Sequence, residues 1–220
     1  MAERFQGVSE RTVELALAVN PYDERTGTPL RDAAAVSVDG VAAAPRLNPS
    51  GYWLFLSPPA TLDASVSVTV EAPPQYANRT VTVDTTQSPP AERIPLYPST
   101  AASFSPGSTT VQGRVTENGA EALPDATVSI EHTDLVTRTD TDGTFVLEIR
   151  GIATTESAGA DDPLRVDPSS GEPTRIRVHP DTGPPETPTL VADHPDHAAA
   201  TRPLPIDEGE RKRLSTQIDL

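Results

Sequence analysis

Apolar and polar residues alternate along most of this 220-residue chain, and the alternation predicts strands. In "TVELALAV" the period of two places Val13, Leu15, Leu17 and Val19 on one face. The same period recurs in "AAVSVDG", "SVSVTVE", "TVTVD" and "RIPL", while "YWLFL" (52–56) reads as a strand apolar on both faces. Proline- and glycine-bearing clusters separate these runs: "NPYDERTGTP", "RLNPSG" and "EAPPQYAN". Short strands at this spacing predict a β-sandwich. The stretch "YPSTAASFSPGS" interrupts the alternation and reads as a linker. Alternation restarts at "TTVQGRVTENG" and continues through "ATVSIEH", "TFVLEIR", "PLRV", "TRIRVHP", "PTLVA" and the terminal "STQIDL". The predicted organisation is a sandwich over 1–98, a linker over 99–108 and a second sandwich over 109–220. Two acidic, small-residue regions, "GIATTESAGADD" and "PDTGPPETP" with "DHPDHAAATRPLP", read as long loops of the second half.

Composition sharpens this picture. Only 35% of residues are hydrophobic and 4% aromatic, with 24 prolines, so small Val/Leu/Ile/Ala cores suit the chain and long helices do not. The net charge of −15 repels phosphate backbones and anionic lipid, which argues against nucleic-acid and membrane partners. Lys212 is the single lysine among 17 basic residues. Arg in place of Lys, with abundant Ala, Thr and Asp, is the composition of a salt-loving organism; a high-GC genome is the alternative source. There is no cysteine, hence no disulfide or thiolate chemistry. The first twenty residues lack the apolar core of a secretory signal, and no apolar run is long enough to span a bilayer. A cytoplasmic product is expected, one able to enter a released particle.

The chain also repeats itself. "LRDAAAVSV" and "LPDATVSI" share Leu-x-Asp-Ala before a short strand. About twenty residues later each is followed by a glycine turn and an aromatic strand, "NPSGYWLFL" and "TDTDGTFVL". The second copy, with Gly113, Val115, Asn118-Gly119, Leu123-x-Asp125-Ala126-x-Val128 and Thr139-Asp140-x-Asp142-Gly143-x-Phe145, resembles the carboxypeptidase regulatory-like domain. The first copy resembles it more remotely. That resemblance implies an all-β fold of two small sandwiches with transthyretin/prealbumin-like topology, used as spacers or docking modules without catalysis. Enzymes of neighbouring folds are excluded by their motifs. No histidine here has Glu three residues on, as metallocarboxypeptidases require, and the "STQIDL" terminus differs from the Tyr-Arg-Gly-Ser of hydroxyisourate hydrolases. The layout of sandwich, joint and regulatory-like domain is similar to accessory proteins of phage-tail-like contractile particles.

Candidate sites are few. "RTDTDGTFVLEI" offers Asp140 and Asp142 beside Gly143, as a calcium loop would. In that register Arg138 and Ile149 occupy the first and last ligand positions, and Asp-Gly between alternating runs predicts a β-hairpin instead. "DHPDH" brings His194 and His197 together with flanking aspartates, either a divalent-metal cluster or a solvated loop. Trp53 reads as core or as a ligand platform, and "NRT" (78–80) as a glycosylation sequon or the start of a strand. "DEGERKRLST" reads as an exposed turn before the last strand. No nucleophile elbow, phosphate loop or dinucleotide fingerprint is present. The expectation is therefore a non-enzymatic module with no cofactor, held by protein partners in a larger assembly, a contractile particle or a cell-surface structure. The sequence sets no oligomeric state. The alternative is a carbohydrate- or small-ligand-binding protein using the acidic loops between Gly151 and Pro205.

Overall fold

The computed structural model describes residues 14–31, 35–41, 44–57, 62–87, 90–152, 162–166, 176–178, 187–214 and 217–220. Its regular structure is all strand among those residues. The chain divides into two compact units, Met1–Glu71 with Thr80–Pro95, and Ala72–Arg79 with Leu96–Leu220.

The first unit is a sandwich of two sheets. Strands β1 (Glu14–Asp23), β3 (Arg46–Leu47), β4 (Trp53–Ser57) and β7 (Ala91–Leu96) form one, ordered β3-β4-β1-β7. Strands β2 (Ala35–Val38), β5 (Ser65–Glu71) and β6 (Arg79–Asp84) form the other, ordered β2-β5-β6. Alternating valines build the core from the second sheet: Val36, Val38, Val66, Val68, Val70 and Val83 are buried. Leu17, Val19, Phe55 and Ile94 meet them from the first. Each such side chain contributes about 1.5–3 kcal/mol on burial. Leu15 departs from its predicted face. The β1–β4 register shifts between Leu15 and Leu17, and this bulge leaves Leu15 38% exposed, an irregularity that a strict period of two does not show.

The second unit repeats that plan. Strand β8 (Thr109–Glu117) pairs with β12 (Thr144–Ile149) on one edge, as β1 pairs with β4. On its other edge run two short parallel partners, β17 (Arg211–Arg213) and β18 (Ile218–Asp219). The short β9 (Glu121–Ala122) returns antiparallel to β8 through a turn in which Asn118 and Gly119 both have positive φ. The facing sheet runs β11-β10-β15-β16: β11 (Val136–Arg138), β10 (Thr127–Ile130), β15 (Thr189–His194) and β16 (His197–Pro203). Strands β13 (Leu164–Arg165) and β14 (Arg177–Val178) form a separate two-stranded sheet. The core gathers Val111, Val115, Val128, Ile130, Phe145, Leu147, Leu190 and Leu204 among others. Gly113 stands opposite Phe145, and a Cβ there would meet the Phe145 ring at 2.7 Å. The aromatic ring thus takes the space that a side chain on β8 would fill.

Two sequence readings change. "DHPDHAAATRPLP" is a strand rather than a loop: β16 lies antiparallel to β15, and its run of alanines simply lacks the apolar–polar contrast that marks a strand. "DEGERKRLST" contains β17, held parallel to β8 despite three consecutive basic residues.

Candidate functional site

The aspartate turn folds on itself. One Asp140 carboxylate oxygen accepts hydrogen bonds from the backbone N–H groups of Asp142 and Thr144, each at 2.9 Å. The other accepts from the Thr144 hydroxyl at 2.5 Å. Gly143 N donates to the Asp140 carbonyl at 2.9 Å, and Gly143 sits at φ +71°. A Cβ on Gly143 would lie 2.5 Å from the Val115 carbonyl oxygen, so only glycine fits. Asp140 therefore acts as an Asx cap for its own turn, with three internal donors on its two oxygens. Asp142 is exposed, and its backbone carbonyl accepts from Arg114 Nε at 3.0 Å.

Just upstream, buried Thr139 donates its hydroxyl to the Leu123 carbonyl at 2.7 Å and accepts from Ala126 N at 2.9 Å. Its backbone completes the clasp, with Thr139 N to the Ala126 carbonyl and Asp125 N to the Thr139 carbonyl. Asp125 has a positive φ of 55° and takes Arg79 Nε at 3.3 Å and Arg138 Nη1 at 3.0 Å. Thus every polar member of the Asp125…Asp140 pattern has a partner within the second unit. Thr139 binds the 123–126 turn, and β11 pairs with β10, in the other sheet from β12. The Asp-Gly turn accordingly joins strands of two different sheets. It is an arch, where alternation predicted a hairpin.

The first unit holds an uncharged copy of the turn. Asn48 Oδ1 accepts from the N–H groups of Ser50 at 2.9 Å and Tyr52 at 2.8 Å. Gly51 N donates to the Asn48 carbonyl, and Gly51 has φ +87°. Asn48, Ser50, Gly51 and Tyr52 occupy the places of Asp140, Asp142, Gly143 and Thr144. The repeat is therefore one of hydrogen bonds as well as letters. The other shared aspartate of the pattern, Asp32, lies outside the described residues.

His194 and His197 face each other across the β15–β16 turn, ring centroids 5.2 Å apart and tilted by 54°. His194 Nδ1 accepts a hydrogen bond from Asp196 N at 3.3 Å. No group of three or more His, Cys, Asp or Glu placed to hold a metal occurs among the described residues. Trp53 lies half-buried on β4 with its indole N–H buried and unpartnered. Asn78 of the sequon accepts from Ala72 N at 2.8 Å, which closes a loop in the second unit. Of the acidic loops between Gly151 and Pro205, residues 153–161, 167–175 and 179–186 lie outside the described residues.

Alternation did not reveal one edge strand of the second unit. Strand β16 ends its sheet, and Ala198, Ala199, Thr201 and Pro203 are exposed. Leu204 N donates to the Pro188 carbonyl, so the next bonded pairs along the ladder are Arg202 with Leu190 and Ala200 with Ala192. The Thr201 N–H and C=O consequently point away from β15, as would the missing N–H of Pro203. A proline in that position marks an edge. Arg202 is the sole charged residue between His197 and Pro203.

No family profile matches the chain, and no curated protein matches it. Among solved structures, the chain is similar to the Bacillus anthracis TIE protein at 11% identity and a TM-score of 0.29. That match covers 92% of this chain and 33% of the other. A streptococcal ancillary pilin is similar at 11% identity and a TM-score of 0.24, covering 92% and 61%. The chain thus spans about a third and about three fifths of these two proteins. Both TM-scores are too low to carry a functional argument. No helix among the described residues is long and apolar enough to cross a membrane.

Proposed function

We propose that this chain is a non-enzymatic structural or interaction module, a tandem of small sandwiches that serves as one component of a larger assembly. The observation that carries the reading is the β16 edge, which is open among the described residues. An edge strand with few charges is a template for an added strand, and native proteins usually blunt such edges with charge, proline or cover; Pro203 blunts this one only at its end. Here the exposed part, Ala198 to Thr201, carries neither charge nor bulk. The mechanism is geometric: a rigid sandwich presents Thr201 N–H and C=O in a fixed line, and an extended segment of a protein partner completes the sheet. The side chains of Asp125, Thr139 and Asp140 are engaged in holding that scaffold. We place the module among carboxypeptidase regulatory-like sandwiches on its Gly113-to-Phe145 pattern, and in a contractile particle or cell-surface structure of a salt-loving organism on its composition and layout.

The test is Thr201→Pro. It removes one outward N–H and leaves the β15 pairing intact, as Pro203 already does two residues on. Partners that co-purify with the wild-type chain from its native lysate at native ionic strength are expected to be lost from this variant while its thermal unfolding is unchanged. Recovery of the wild-type chain as free monomer, or equal partner recovery by the variant, would sink the strand-addition reading.

A further inference from the structure

The outward face of the β12-β8-β17 sheet carries a groove of about 890 Å³ that none of the predicted sites included. Val111 and Val115 point from β8 into the core, so Gln112 and Arg114 point the other way. Thr144 lies directly across from Arg114, and Arg213 directly across from Gln112, which puts all four side chains on one face. With strands about 4.8 Å apart and alternate residues about 6.7 Å apart, the two arginine Cα atoms stand roughly 8 Å from each other. Thr100 and Gln217 add a hydroxyl and an amide at the rim. On the same face Val146, directly across from Gln112, and Thr110 are buried, and the Phe104 carbonyl is bound by Arg211 Nη2 at 3.3 Å. The groove is the part of the face left open.

Its chemistry opposes that of the whole molecule. In a chain of net charge −15 the groove is lined, among the described residues, by two arginines and no carboxylate. Arg114 is anchored through Nε on the Asp142 carbonyl, which leaves its two terminal nitrogens to act as a fork. No hydrogen bond or ion pair engages Arg213 among the described residues, and it is exposed. Two forks about a carboxylate's reach apart suit one oxyanion, and the flanking Gln and Thr groups suit hydroxyls beside it. The acidic surroundings disfavour a polyanion such as nucleic acid and tolerate a single charge.

We propose that this groove binds a carboxylated sugar, a hexuronate unit whose carboxylate lies between Arg114 and Arg213 and whose hydroxyls meet Gln112, Thr100 and Gln217. The volume accommodates a disaccharide. The site is separate from the β16 edge and does not depend on it.

The test is a titration of the full chain, followed by NMR shifts, with a disaccharide bearing one glucuronate. Acetate, glucose and inorganic phosphate serve as parallel probes. The disaccharide is expected to saturate and to bind at least tenfold tighter than acetate or glucose. Arg213→Gln, at an exposed position, is expected to weaken it about tenfold or more with unchanged thermal unfolding, as loss of a charge-assisted pair does. Arg114→Lys, which keeps the charge and loses the fork, is expected to weaken it as well. Equal affinity for acetate or phosphate would reduce the groove to a general anion patch and overturn the proposal. So would absence of saturable binding, or full binding by Arg213→Gln.

Discussion

The two glycine turns differ by a charge and agree in almost everything else. Asn48–Tyr52 and Asp140–Thr144 each place a side-chain oxygen on the N–H groups two and four residues on, with glycine at positive φ in between. Since asparagine does this in the first unit, the carboxylate in the second is explained as a turn cap. The units part company one residue earlier. Thr139 binds Leu123 and Ala126, and β11 joins β10; at the equivalent place Leu47 has no hydroxyl, is 39% exposed, and pairs with Trp53 of β4. A single buried hydroxyl thus accompanies the change of sheet, and turn chemistry alone does not set strand pairing.

The largest effect should come from glycine. Gly143→Ala forces a Cβ to within 2.5 Å of the Val115 carbonyl and 3.0 Å of Leu123 N at positive φ. About 3 kcal/mol or more should be lost by denaturant unfolding of the second unit. Gly51→Ala meets the Pro29 side chain at 2.7 Å and no backbone atom, so its cost should be smaller. Equal costs would break the idea that the second turn is locked to backbone on both sides. Next, Thr139→Val leaves the buried Ala126 N–H unsatisfied and should cost about 2 kcal/mol, whereas Leu47→Ala should cost less than about 0.5 kcal/mol. Then Asp140→Ala and Asn48→Ala should each lose about 1 kcal/mol, and Asp140→Asn should restore most of it by mimicking the first unit.

The smallest effect concerns Asp84, at the end of β6. The Thr86 hydroxyl, and then the Thr86 N–H, hold its pKa below the ordinary aspartate value. A depressed folded-state pKa gives a contribution that is present above the unfolded value and lost as pH falls through the folded one. Its NMR titration midpoint should therefore lie below that of an ordinary aspartate, and Thr86→Val should raise it.

Valine-rich strands such as β2, β5 and β10 were legible because apolar and polar residues contrast at a period of two. Strands β16 and β17, "HAAATRP" and "RKR", lack that contrast and owe their state to pairing with β15 and β8. The glycine turns were legible through Asx-x-x-Gly spacing, but the arch was not. It depends on Thr139 reaching residues 13 to 16 positions away. The two groove arginines lie on β8 and β17, far apart in sequence, and become neighbours only through the parallel pairing of those strands.

The central claim, that the acidic turn is a structural cap shared in form with its asparagine copy, is tested most directly by a calcium titration of the full chain watched at backbone amides. The account predicts that the Asp142 and Thr144 resonances stay as unmoved as those of Ser50 and Tyr52 through millimolar calcium. Saturable shifts confined to Asp140–Thr144, accompanied by a raised melting temperature, would contradict it.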